Sequence, residues 1–251
     1  MLKNGKKTAL WNRDDIPAEP AGSVIVVREK TDNAFELYMT RRSEKLSFLG
    51  GYHVFPGGKV DEEDYDAALV SRCRGLSPES AAEIFGGGID PLLACGHWVA
   101  ALRELFEEAG ILLAYDDGGK LVDFTENGVN DKFNEYRENI HARKIGFVDM
   151  LTKENLTLAT DRLEYICRWL VPAGTPRRYD ARFFAAVLPA LQEPRFHPAE
   201  VSEQFWLEPA EALRKHETGE WLMMPATVYV LMSIELNYSI EDLLSSRADP
   251  H

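Results

Sequence analysis

Two apolar runs stand out near the start of the chain. Gly22 to Arg28 (GSVIVVR) and Phe35 to Arg41 (FELYMTR) predict a pair of strands, joined by the turn residues Thr31, Asp32 and Asn33. Tyr52 to Phe55 is a short β-prone stretch, ended by Pro56-Gly57-Gly58. His97 to Ala109 has helical periodicity and stops at Gly110, a residue suited to the left-handed position after a helix. Ile111 to Tyr115 resumes as a strand, and Asp131 to Arg143 reads as a polar amphipathic helix. Further strands are expected at Tyr165 to Val171, Arg182 to Leu188 and Gln204 to Leu207. Helices are expected at Pro209 to His216, Ala226 to Leu236 and Ile240 to Ser245.

Strand and helix signals therefore mix without the regular βαβ alternation of a doubly wound sheet. The pattern predicts an α+β protein in which a mixed sheet lies between helices. No internal repeat or long linker divides the chain, so one domain over 1–251 is expected. Asp66 to Leu93 stands apart. Ser77-Pro78-Glu79 starts a short helix, and Gly86-Gly87-Gly88 ends it as a flexible break, with no Lys-Ser/Thr following to make a phosphate loop.

Chemistry concentrates in Arg103-Glu104-Leu105-Phe106-Glu107-Glu108-Ala109-Gly110-Ile111. At roughly 100° per residue, Glu107 lies about 60° to one side of Glu104 and Glu108 about 40° to the other. Three carboxylates thus share one stripe, where each like-charged pair costs about 0.2–0.5 kcal/mol. A hard cation such as Mg²⁺ would reverse that penalty; a solvated acidic face is the other reading of the same spacing.

Charge sharpens the choice. With 28 Lys and Arg against 41 Asp and Glu, the net charge is −13, which repels nucleic acid. An anionic small substrate would need cations to approach. Cys73, Cys95 and Cys167 are widely spaced and read as free thiols. Lys3, Lys6 and Lys7 are followed by no apolar core of a signal peptide, and the final Ala-Asp-Pro-His is no peroxisomal tripeptide. The apolar stretch Met223 to Leu236 contains Pro225 and is too short for a bilayer, so cytoplasmic location without membrane contact is expected. A second copy of the chain is the one macromolecular partner left open.

Arg103 to Ile111 resembles the second half of the Nudix box, G-x5-E-x7-R-E-U-x-E-E-x-G-U, with U apolar. Gly58 matches its opening glycine, and Asp64 stands where Glu is usual. The interval 65–102 holds 38 residues, 31 more than the family's seven, so the box is split by a helical insertion at about 65–96. A subgroup resembling peroxisomal coenzyme A diphosphatase carries an insertion at this point. Trp169 to Pro172, Arg178 to Phe184, and Glu200 six residues before Trp206 are similar to that subgroup too. Upstream, Thr40, Arg42, Ser43, Gly51, Phe55, Pro56, Gly57 and Gly58 fall in register with the coenzyme A signature L-L-T-x-R-[SA]-x3-R-x3-G-x3-F-P-G-G. Tyr38-Met39 replace its leucines and Ser47 its second arginine.

The resemblance implies a Nudix fold and hydrolysis of a diphosphate in a nucleotide substrate. It points to coenzyme A or acyl-CoA, with ADP-ribose, NADH or a nucleotide sugar as the alternative and a non-catalytic sensor as a third reading. It assigns Mg²⁺ or Mn²⁺ to Glu104, Glu107 and Glu108. Glu104 would orient or deprotonate water, Glu107 would support it, and Arg103 would orient a box carboxylate. Glu200, Glu203 or Asp64 could supply the acid or base, although Asp64 also suits a cap on the inserted helix, and Asp61 offers the same choice. Arg42, Arg41, Gly57 and Gly58 would meet the substrate. Arg177 and Arg178 beside Tyr179 form a second basic patch, and Tyr52 and Phe48 are candidates to stack on a base. His53, His97, His141, His197 and His216 lack ligand spacing and read as structural, as do Trp98, Trp169, Trp206 and Trp221 as core anchors.

Overall fold

The computed structural model describes residues 16–30, 34–175 and 177–245. The turn Thr31 to Asn33, Lys3, Lys6, Lys7 and the final four residues lie outside them.

β1 (Glu19–Glu29) and β2 (Phe35–Arg42) pair antiparallel, as their apolar runs predict. β1 also runs parallel to β8 (Tyr179–Val187), which pairs antiparallel with β7 (Glu164–Leu170). β3 (His53–Val54) and β9 (Val201–Leu207) pair with β2, and β4 (Gly57–Lys59) with β1, completing a seven-stranded mixed sheet. A separate small ladder joins β5 (Ala114–Tyr115) to β6 (Thr157–Leu158).

Both faces of this sheet are covered, so Val24 to Val27 of β1 are buried in succession rather than alternately. Val24 and Val26 face one way, with Tyr38 and Phe184, onto Trp98, Leu102, Leu105 and Phe106 of α3 (Pro91–Ala109). Ile25 and Val27 face the other way, with Leu37, Met39 and Phe183. They meet Leu213 of α6 (Pro209–Glu217), Val230 and Ile234 of α7 (Pro225–Ile234) and Leu243 of α8 (Ile240–Ser245). The architecture is the expected α/β/α sandwich of α+β class.

The long insertion contributes α1 (Ala67–Val70) and α2 (Pro78–Ile84), both packed on α3. Ser77 caps α2 by accepting from the Ser80 amide at 3.1 Å. Several elements depart from the sequence expectation, among them β5, which covers only Ala114–Tyr115 of the expected Ile111 to Tyr115, and β6, which the pattern does not predict. α3 begins at Pro91 rather than His97, because the Asp90 side chain accepts from the Leu93 amide at 3.0 Å and proline occupies the first turn. Gly57–Lys59 is a strand rather than the end of one, made so by its pairing with Ala21 to Ser23. α5 (Phe147–Lys153) follows the amphipathic α4 (Val129–His141) and leaves no strong period in the sequence.

Candidate active site

The C-terminal half of α3 lies beneath β4, and Gly58 permits that approach. A Cβ there would sit 2.3 Å from Glu104 Oε1 and 2.4 Å from its carboxyl carbon. Gly57 donates its backbone N–H to Glu108 Oε2 at 3.0 Å. The glycine turn and the acidic stripe, 46 residues apart between Gly58 and Glu104, therefore form one locus.

Arg103 organises one side. Its Nε and Nη2 donate to the two Asp64 oxygens at 2.8 and 2.9 Å, and Nη2 also donates to the Lys59 carbonyl at 2.9 Å. Nη1 reaches Glu104 Oε1 at 2.7 Å and Glu107 Oε1 at 3.3 Å. A planar five-donor fork can serve five acceptor oxygens in this way, whereas a lysine could not. On the other side Arg42 Nη1 stands 3.4 Å from Glu108 Oε1.

The end of α3 is held from outside. Arg137, on α4, donates from Nε to the Glu107 carbonyl at 2.8 Å and from Nη2 to the Glu108 carbonyl at 2.7 Å. The Arg195 amide donates to the Ala109 carbonyl at 2.7 Å and the His197 amide to that of Glu108 at 3.1 Å. Gly110, at φ 69°, ends the helix in the left-handed region. Carbonyls that a helix terminus leaves without partners are thus satisfied, and the orientation of the last turn is set. Arg137 was not among the sequence candidates. Its signal is a cation four residues after Phe133 and three before Ile140, on the buried face of an amphipathic helix.

Burial dominates the electrostatics. It pushes the Glu108 carboxyl up to about 8, helped by the Glu104 charge and opposed by Arg42. It pushes Glu104 up to about 7, with Glu107 adding and Arg103 opposing. Glu107 is raised as well, by burial first and against the pull of Arg103. Four carboxyl groups (Asp64, Glu104, Glu107, Glu108) face two guanidiniums (Arg103, Arg42), a surplus of two negative charges when all four are ionised.

That all-oxygen donor set and surplus suit a hard divalent cation. Among the described residues no three acidic, histidine or cysteine side chains gather closely enough to enclose a metal ion as they stand. The Arg103 Nη1 between Glu104 and Glu107 explains this. Magnesium commonly takes only one or two carboxylates, completing its shell with water and substrate phosphate.

Other candidates are placed as follows. Asp64 is 1% exposed, with both oxygens on Arg103 and one also accepting from the Asp61 amide. That last contact closes a capping box on the short 3-10 turn Glu62–Tyr65 that opens the insertion, with Asp61 at its N-cap, while Asp66 caps α1 by accepting from the Ala68 amide. Asp61 is exposed, 3.7 Å from Arg103. Arg41 pairs with Glu203 at 2.8 Å and Glu44 at 2.7 Å, so Arg42 rather than Arg41 faces the acidic stripe, and Glu203 is committed elsewhere. Glu200 is brought close enough for its charge to raise Glu107 and Glu108, and it lies 3.7 Å from His141.

His197 lies against His141 with ring centroids 4.0 Å apart and planes tilted by 32°, while His53 stacks on Trp221 at 4.0 Å. His97 holds the Ala21 carbonyl, and burial lowers it to about 4. Cys73, Cys95 and Cys167 are free. A hollow of about 690 Å³ beside Tyr115, Lys132 and Phe133 shares no residue with the acidic locus.

A model of the NUDT19 Nudix domain matches residues 94–234, more than half of the chain and the whole acidic helix from its first full turn. The chain belongs to this Nudix family. It is 26% identical over 233 residues to the acyl-coenzyme A diphosphatase NUDT19 of Xenopus laevis, covering 81% of this chain and 60% of that relative. It is 25% identical over 268 residues to the human protein of the same description, covering 93% and 68%. The chain thus spans about three fifths to two thirds of the length of these relatives. The crystal structure of a Nudix hydrolase from Alicyclobacillus acidocaldarius superposes with a TM-score of 0.73 at 26% identity, covering 92% of this chain and 97% of that one. The mixed sheet between helices is therefore the Nudix fold. Among the described residues, no helix is long and apolar enough to cross a membrane.

Proposed function

We propose that the chain hydrolyses the diphosphate bridge of coenzyme A or acyl-CoA, using Mg²⁺ or Mn²⁺, to give 3′,5′-ADP and (acyl-)4′-phosphopantetheine. The observation that carries this reading is the convergence of Glu104, Glu107, Glu108 and Arg42 on the Gly57-Gly58 turn. The description of the relatives as acyl-CoA diphosphatases supports the choice of substrate.

Glu104 and Glu108 would hold the cation, with Glu107 beside them. When bound, a divalent ion screens a diphosphate's charge, polarises a phosphoryl oxygen and acidifies water. Glu104 is raised close to neutrality, which suits a group that takes a proton from attacking water and gives it up again. Glu200 is the second group within reach of that role. Arg42 adds positive charge where a phosphoryl oxygen would lie. Water adds across the bridge, its hydroxyl going to one phosphorus and its proton to the leaving phosphate.

Purified protein incubated with Mg²⁺ and CoA is expected to yield both products by chromatography. Turnover of ADP-ribose or NADH with none of CoA or acyl-CoA would reject the substrate assignment.

A second expectation concerns pH. Glu104 and Glu108 hold protons more tightly in the folded chain than at their ordinary value of 4.5. Their contribution to folding is complete below that value and is lost as pH rises through about 7 and about 8. Without divalent metal the melting temperature should fall between about pH 5 and pH 8, and the rise on adding Mg²⁺ should be larger at the upper end. Melting curves insensitive to both variables would contradict the metal role.

A further inference from the structure

One cluster beside the acidic locus is not used by the chemistry above. Arg42 anchors both ends of the loop after β2, its amide donating to the Tyr52 carbonyl and its carbonyl accepting from the Gly51 amide, each at 2.9 Å. The loop carries Phe48 at its outer part, followed by Leu49 at φ 54°, a left-handed conformation that leucine rarely adopts. The Arg177 guanidinium, from the segment before β8, lies over the Phe48 ring, 4.5 Å from its centroid. Tyr179 flanks the same ring at 6.0 Å.

Strand pairing ties this cluster to the glycine turn. Tyr179 pairs with Glu19, Lys59 pairs with Ala21 two residues along β1, and Gly58 above Glu104 pairs with Gly22. Lys59 is ion-paired with Glu19 at 2.5 Å and also feels the Arg177 charge. Among the described residues, Arg177 forms no ion pair with a carboxylate, in a chain of net charge −13. Its neighbour Arg178 is spent on the Val171 and Ile16 carbonyls.

Two partly exposed aromatic rings, with a guanidinium that pairs with no carboxylate among the described residues, offer what a purine and a phosphate need together: a face to stack on and a cation to pair with. We infer that Phe48, Tyr179 and Arg177 form the subsite for the nucleoside-phosphate half of the substrate, Phe48 carrying the base and Arg177 a phosphate. This assignment rests on the diphosphate-hydrolase reading, yet it is judged by binding as well as turnover.

Titration calorimetry of the full chain with 3′,5′-ADP and with ribose 5-phosphate tests it, because only the first has a base. Wild type should bind 3′,5′-ADP more tightly. Phe48→Ala should weaken 3′,5′-ADP about tenfold and leave ribose 5-phosphate unchanged, and Phe48→Trp should restore binding. Arg177→Gln should weaken 3′,5′-ADP about tenfold as well. In turnover assays KM should rise in parallel, with kcat within about twofold. Unchanged affinity and KM in Phe48→Ala and Arg177→Gln overturn the subsite, as do equal losses for both probes or no preference of wild type for 3′,5′-ADP. CoA turnover with silent variants would leave the proposed function standing and the subsite rejected. Turnover of ADP-ribose alone, with KM raised by Phe48→Ala, would do the reverse.

Discussion

Glu104→Gln and Glu108→Gln should each lower kcat by about 10²- to 10⁴-fold while leaving the fold intact. The two substitutions preserve shape and remove one negative charge. Glu108 is 4% exposed, and its amide replacement can still accept the Gly57 N–H through its oxygen, so packing and the turn are kept. Glu104 lies against Gly58 with no room for added atoms, and glutamine adds none. What is lost is the charge that would hold a divalent ion, and at Glu104 also the group placed to take a proton. Two readouts separate these losses from misfolding. The metal-free melting temperature at about pH 8 should rise or hold in Glu108→Gln, because a carboxyl pushed up to about 8 by burial no longer has to ionise there. The stabilisation that Mg²⁺ confers on wild type should shrink in both variants. Unchanged turnover in both would reject the catalytic assignment and leave the binding-module reading.

Arg103→Met should be the most destabilising single change at the site, by roughly 3–5 kcal/mol in chemical denaturation. It strips the cation from Asp64, whose side chain is 1% exposed and whose only counter-charge within 4 Å among the described residues is Arg103. It also frees the Lys59 carbonyl and leaves Glu104 and Glu107 to repel each other. Arg103→Lys should recover only part of this, since a single ammonium cannot span the two Asp64 oxygens and two further carboxylates. The double variant Arg103→Met/Asp64→Asn removes the stranded charge and should be more stable than Arg103→Met alone, a coupling that a double-mutant cycle measures directly. Additive losses would mean that Arg103 and Asp64 do not act as a pair.

The Asp64 pairing also shows where sequence reasoning falls short. Its position in the split box was legible, and so was its departure from Glu. Which way it pointed was not, because a short acidic side chain in a turn can cap a helix, meet water or join a cation with equal local plausibility. The turn's docking against Arg103 across the insertion settles it. Arg41 and Arg42 pose the same problem. Successive strand residues point to opposite faces, so one of the two had to face away, and only the pairing of β2 with β9 sets Arg41 against Glu203. The start of α3 was different. Asp90-Pro91 is a readable cap that was masked by the glycine run before it and by Gly96 within the helix.

Local physics, then, is enough to determine the paired strands, the acidic helix with its glycine stop, and the order of residues that makes the chain a split Nudix box. Periodicity, capping and charge spacing act between near neighbours, and those signals survive in one dimension. Tertiary structure alone decided that Gly57–Lys59 is a strand and that Gly58 lies on Glu104. It also decided that Arg137 holds the last turn of α3, and that Arg177 meets Phe48 across 129 positions of chain. Each of those contacts joins residues far apart in sequence. Their partners are selected by burial and by the need to satisfy backbone groups and charges in a shared interior, and no local pattern records that selection.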